Sequence, residues 1–199
     1  MPISKYIKPM GYGEMYEVSP NELSKNLLGK FVQFDSMYPD KIMLSRNTHC
    51  LIGVSSPNFL ITSDNPKEWP DKYVCNDLND TYMKNISVAK ATAIWDEKNE
   101  MEIIKTYKDY IYEPILNPTF KDDLKYVQRI DRENWLNVII LGKCIVFDNG
   151  NCIPGQFCEP YDGPDEKSFG IAVPSINTNR ERFYVISRVS DKSIMILLK

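Results

Sequence analysis

Two carboxylates, Glu14 and Glu17, stand three residues apart in the alternating run Glu14-Met15-Tyr16-Glu17-Val18. That alternation has the period of a β-strand, in which residues i and i+3 face opposite sides. One of the two can therefore be buried. A buried carboxyl is held above its usual pKa and can give or take a proton. The alternative is a pair of solvated charges on an exposed edge. A second charged group, Arg129, Arg132 and Glu133, precedes Trp135. It suits a salt-bridge network, a solvated face or a contact between subunits, and spacing alone does not choose.

Other reactive residue types are scarce. His49 is the only histidine, and it opens an apolar strand-like run. A buried or rim position is the expectation there, ahead of a catalytic one. Cys50, Cys75, Cys144, Cys152 and Cys158 include no C-x-x-C pair and match no zinc spacing. Their odd number and low density argue against a disulfide framework, so buried free thiols are expected. The phosphate-binding loop, the dinucleotide fingerprint and the nucleophile elbow are all missing. No cofactor and no metal are expected. Trp69, Tyr73 and Trp95 could stack on a glycan or nucleotide, or simply anchor core and loops.

The elements that must position these residues read mostly as short strands. They fall at Glu14–Val18, Lys30–Asp35, Lys41–Leu44, His49–Val54 and Asn58–Thr62. Val88–Trp95 and Met101–Tyr107 flank a loop at 96–100 and predict a hairpin. Val138–Phe147 is long and β-branched and ends in Asn149-Gly150, a strong hairpin signal. Arg182–Val189 and Ser193–Leu198 predict a C-terminal hairpin. Ser19-Pro20-Asn21-Glu22 resembles a helix start, which predicts a short helix over 20–28. Residues 63–85 read as a polar surface excursion, and 122–135 as one short helix or an irregular segment. The expected fold is mainly β: a single antiparallel β-rich domain over 11–199, with one or two short helices and an N-terminal arm over 1–10.

The 199 residues carry 24 Lys and Arg against 27 Asp and Glu, a net charge of −3. That balance argues against a sequence-independent nucleic-acid binder, which needs a basic surface. A compact monomer of this mass would expose roughly 9,700 Å² and bury about 70% of its unfolded surface. No apolar run reaches the ~20 residues that cross a bilayer, and the N-terminus lacks the apolar core of a signal peptide. A soluble protein with no membrane or nucleic-acid partner, not secreted by the general route, is the expectation.

In order along the chain, several segments resemble one known family. They are GYGEMYEV (11–18), KFVQFD (30–35), KIMLSR (41–46) and HCLIGVSSPNFLITSD (49–64). PILNP (114–118), YVQRIDRENW (126–135), VIILGKCIVFDNGNC (138–152), GQFCEP (155–160) and the closing YVISRVSDKSIMILLK follow. Together they resemble the G2 peptidase domain, the autoproteolytic cleavage domain linked to intramolecular chaperones in phage neck-appendage and tail-spike proteins. The resemblance implies a β barrel or tulip related to trimeric phage head-decoration proteins. It implies a homotrimer on the virion, made in the host cytoplasm. Other virion proteins, such as a major capsid or fibre protein, become the implied partners. It also implies self-cleavage near the N-terminal edge of the domain, with an Asp at the position of Gly11 and a Glu matching Glu14.

This chain has glycine at 11, only ten residues before it, and no long helical chaperone arm. The expectation is a virion structural protein, a trimeric capsid decoration, cement or fibre-tip module with a degenerate cleavage site, rather than a working enzyme. The alternative is an active autoproteolytic domain that cuts its own chain near residues 10–13, with Glu14 or Glu17 as acid or base.

Overall fold

The computed structural model describes residues 10–46, 51–121, 123, 125–175 and 183–199. Residues 1–9 of the expected arm lie outside the described residues, as do His49, Cys50, Leu124 and Arg182. Among the described residues the strands are β1 (Met10–Val18), β2 (Phe31–Phe34), β3 (Lys41–Leu44), β4 (Leu51–Ser55), β5 (Ile61–Ser63) and β6 (Met83–Asp96). They continue with β7 (Met101–Pro114), β8 (Trp135–Phe147), β9 (Phe157–Pro160), β10 (Ala172–Pro174), β11 (Phe183–Ser190) and β12 (Ser193–Leu198). One helical turn, α1 (Ser24–Leu27), and two short 3-10 turns complete the set. The protein is mainly β, as the sequence pattern requires. It divides into two compact units, one made of residues up to Lys67 and from Val127 onward, the other of Glu68–Tyr126.

The first unit is one sheet in the order β10-β9-β11-β12-β8-β4-β2-β3-β1-β5, with β1 also paired to β8. That extra pairing closes β8, β4, β2, β3 and β1 into a ring of five strands. Most pairings are antiparallel, but β1 takes β3 and β5 in parallel along one edge. Its other edge runs antiparallel to β8 from Gly11 opposite Gly142 to Glu17 opposite Trp135. Closure pairs β1 on both edges at Tyr12–Glu14 and at Glu17.

β8 is the wall between two apolar clusters. Successive strand residues point to opposite faces, so Val138 joins Val18, Leu27, Val32 and Ile42, and Ile139 joins Phe31, Val54, Val146, Ile194 and Ile196. Each fully buried aliphatic side chain of this kind contributes roughly 1.5–3 kcal/mol. The β-branched run at 138–147 is thus used on both faces, which explains its near absence of alternation.

Two local signals are redirected by tertiary contacts. The helix is a single turn instead of 20–28, because the Ser19 hydroxyl needed as its cap donates to the buried Asp35 carboxylate instead. Asn149-Gly150 does not join β8 to the next strand as a hairpin. Arg188 reaches across from β11 to hold that segment, donating to Asp148 Oδ1 (3.2 Å) and Oδ2 (2.9 Å) and to the carbonyls of Gly150 (3.3 Å) and Cys152. Gly150 keeps its left-handed backbone, φ +87°, within a loop that returns beside β11. The C-terminal hairpin, β11 to β12, forms where the sequence places it.

The second unit is built on the hairpin β6–β7, paired without a register break from Met83 opposite Pro114 to Asp96 opposite Met101. Its tip is fixed by Asp96, whose carboxylate accepts from the Lys98 amide (3.0 Å) and the Asn99 side chain (2.7 Å). Both strands run longer than the sequence reading, which assigned 83–85 to a polar excursion. No described residue of Glu68–Tyr126 is buried.

The Asp148 side chain is fully buried while Arg188 is part-exposed. Removing the cation strands a buried charge. Arg188→Met is expected to cost about 3 kcal/mol, read as a lowered urea midpoint, and Asp148→Asn with Arg188→Met together should cost less than Arg188→Met alone.

Candidate functional site

β1 reaches its place by having no side chain where it presses on β8. A Cβ at Gly11 would stand 2.4 Å from Ile139 Cγ2 and 3.0 Å from the Leu141 carbonyl oxygen. A Cβ at Gly13 would stand 2.6 Å from the Asn137 side chain. Ile139 is fully buried and cannot swing away without opening the core. Glycine is what lets the two backbones approach this closely.

On the face of β1 that carries Tyr12, Glu14 and Tyr16, the carboxylate is clamped by two phenols. Tyr12 Oη donates to Glu14 Oε1 at 3.0 Å, and Tyr16 Oη donates to Oε2 at 2.8 Å. The Tyr12 hydroxyl also meets Ser63 Oγ at 2.7 Å. Parallel pairing puts Ser63 directly opposite Glu14. Next to it Thr62 Oγ1 donates to Asn137 Oδ1 at 2.6 Å, and Asn137 Nδ2 donates to the Ser56 carbonyl at 3.4 Å. The result is a connected chain of hydroxyl, phenol and carboxylate, all part-buried. Burial, then the bond to the Glu14 carboxylate, pushes the Tyr16 phenol from 10.0 up to about 12. Tyr16 therefore keeps its proton and acts as a fixed donor. Glu14 is held as a hydrogen-bond acceptor in one rotamer. Its edge-on neighbour Phe34, 5.7 Å from the Tyr16 ring, braces the arrangement.

Glu17 belongs to a different environment. It ion-pairs with Lys41 on β3 and accepts from Asn134 Nδ2 at 2.9 Å. The two glutamates do not converge on one site, consistent with their strand spacing. Neither is a free edge charge.

The charged group before Trp135 is a packed intrachain cluster. Arg129 ion-pairs with Asp64 and donates to its carbonyl at 3.0 Å, while its guanidinium lies 4.2 Å from the Trp135 ring centre. Arg132 lies 5.9 Å from the same ring and donates to the Val127 carbonyl at 2.9 Å. Stacked guanidinium over indole is a favourable charge–quadrupole contact. Arg129, Trp135, Asp64, Tyr16 and Glu17 border one open cavity beside the Glu14 clamp.

Cys144, Cys152 and Cys158 are buried and free, and Cys75 is half-buried and free. Hydrogen bonding with Cys152 and burial both push the Cys158 thiol up, and burial does the same to Cys144. These thiols are unreactive packing groups. Among the described residues no group of three His, Cys, Asp or Glu side chains could hold a metal ion. Of the stacking candidates, Trp69 packs edge-on against Tyr126 (5.0 Å) and Tyr73 lies under Lys72 (5.2 Å). Trp95 stays 64% exposed.

Sequence reasoning missed Tyr12, Thr62, Ser63 and Asn137. Their only signal was polar residues at strand positions, and nothing local says which partner strand they will meet.

The chain matches the model of the Peptidase_G2 family, IMC autoproteolytic cleavage domain, over residues 5–177. It belongs to that family of autoproteolytic cleavage domains. Two solved structures share its fold. The pre-mature bacteriophage phi29 gene product 12 aligns with a TM-score of 0.68 at 16% identity, over 97% of this chain and 22% of that one. The C-terminal fragment of bacteriophage phi29 gene product 12 aligns with a TM-score of 0.64 at 17% identity, over 94% of this chain and 99% of that one. The chain thus spans about a fifth of the longer protein and nearly all of the fragment. No curated protein matches it.

Two measurements check this geometry. Gly11→Ala should lower stability by roughly 1–3 kcal/mol through overpacking against Ile139, seen as a lower urea midpoint with an unchanged slope. For Tyr16 the folded pKa is raised, so its contribution is complete below pH 10.0 and is lost as pH rises towards about 12. Ultraviolet titration should find one late phenol, absent in Tyr16→Phe and brought down in Glu14→Gln.

Proposed function

We propose that this chain is a virion structural protein, a self-associating decoration, cement or fibre-tip module in which the family's self-cleavage site no longer cuts. The observation that carries this reading is at position 11. The resemblance to the family implies an acid there. Here a glycine stands instead, and the space a side chain would need is filled by Ile139 and the Leu141 carbonyl. Glu14 survives, but both of its oxygens accept from tyrosines. Its role in this chain is to bind β1 to β5 and β2 through those rings.

Membership of the cleavage-domain family and a fold shared with a phage gene product support association with a phage particle. Self-association is supported by large apolar side chains left exposed, such as Ile104, Tyr112 and Trp95, and its form as a homotrimer by the family resemblance. Other virion proteins, a major capsid or fibre protein, are the proposed neighbours.

The test is intact mass together with solution mass. The full chain should keep an unbroken N-terminal region on prolonged incubation, with Glu14→Gln indistinguishable from wild type. Light scattering at micromolar concentration should give three times 23.1 kDa. A break between residues 10 and 13 that Glu14→Gln blocks would overturn the degenerate-site reading, and a stable 23.1 kDa species would overturn self-association.

A further inference from the structure

We propose that Asn149 is a self-modification site: its side-chain amide closes on the Gly150 nitrogen and is converted, with water as the only reagent, to aspartate and isoaspartate. Asn149 is the one asparagine of the 199 residues that glycine follows. With no Cβ on the next residue, nothing shields the attacking nitrogen. A dipeptide alone does not decide the matter. The nucleophile must be free, the electrophile must be turned toward it, and both must be open to water.

The nucleophile is the Gly150 amide nitrogen. Among the described residues nothing accepts a hydrogen bond from it. Both neighbouring amides are engaged: Asn149 N–H donates to the Ala172 carbonyl at 3.1 Å, and Asn151 N–H donates to Asn149 Oδ1 at 3.1 Å. The second bond is an Asx turn, which folds the asparagine side chain back along its own backbone. The same bond draws electron density from Cγ, the atom to be attacked. The leaving nitrogen, Nδ2, is bonded to no described group. Residues 149–151 are exposed. Beside Gly150 there is room for a ring, because a Cβ there would meet only the Asp191 carbonyl oxygen, at 3.5 Å.

In the first step the Gly150 nitrogen attacks Cγ. The N–Cγ bond forms, the Cγ–Nδ2 bond breaks, and ammonia leaves carrying the proton that the nitrogen gave up. The product is a succinimide. Water then opens either of its carbonyls. Cleavage at Cγ restores the peptide with aspartate at 149, and cleavage at the main-chain carbonyl leaves isoaspartate. Both products add one negative charge to the residue between Asp148 and Gly150, the two groups that Arg188 Nη2 holds at 2.9 and 3.3 Å. Isoaspartate also lengthens the backbone by one methylene, inside a loop tied by the Cys152 N–H bond to Asp148 Oδ2 at 3.3 Å. Older copies of the chain thereby differ from new ones in charge and backbone length beside the Arg188 anchor.

The test follows residue 149 by peptide mass spectrometry in the full chain, held at neutral pH both folded and unfolded in concentrated urea. A residue that reacts only after global unfolding is slowed by the folding equilibrium, roughly a thousandfold or more. The expected result is conversion in the folded chain within roughly tenfold of the rate in urea, with isoaspartate among the products. Asn149→Gln, which can close only a larger and slower ring, should stay unconverted over the same period with an unchanged circular dichroism spectrum. Folded-state conversion more than tenfold slower than in urea overturns the proposal, because the loop then protects Asn149. Aspartate as the sole product overturns attack by the Gly150 nitrogen.

Discussion

The first unit depends on the contact between β1 and β8, made without side chains at Gly11 and Gly13. This approach lets the opening strand pair on both edges and closes the ring of β8, β4, β2, β3 and β1. Closure fixes the register of β1 against β5, and the register puts Ser63 opposite Glu14. The phenol clamp on Glu14 follows from that placement. A side chain at 11 would have to displace Ile139, which is part of the larger apolar cluster. The volume that a side chain at 11 would need is thus filled by core.

The second unit follows a different logic. The first unit buries two apolar clusters on either side of β8. The hairpin unit buries no described residue, although it is rich in tyrosine and isoleucine. Its stability within one chain rests on ladder hydrogen bonds, cross-strand pairs and a well-capped tip, which yield little net free energy in water. Exposed aromatic side chains on this unit, such as Trp95, Tyr107, Tyr110 and Tyr112, fit the reading of the whole as an assembly component.

Much of this was legible in the sequence. The runs at 14–18, 41–44 and 193–198 coincide with strands: the first alternates, and the other two are near-continuous apolar runs whose successive residues are buried. The opposite orientation of Glu14 and Glu17 followed from the same period of two. What could not be read was any pairing between distant strands. The parallel partners of β1, the closure onto β8 and the Tyr12–Ser63 contact join residues far apart in sequence, and no local pattern encodes them. Local signals also failed where a long-range polar partner outbid them. Ser19 caps no helix because Asp35 takes its hydroxyl, and Asn149-Gly150 makes no two-residue hairpin because Arg188 draws that loop to itself.

The most direct test of the central claim is native-state hydrogen exchange on the full chain, read at the amides of Gly11 to Tyr16. If β1 is locked between β8 on one edge and β3 and β5 on the other, its amides should exchange only by global opening, at the rates of Val138 to Cys144. Exchange of Gly11 to Tyr16 many times faster than that of β8, as for a frayed edge strand, would contradict the account.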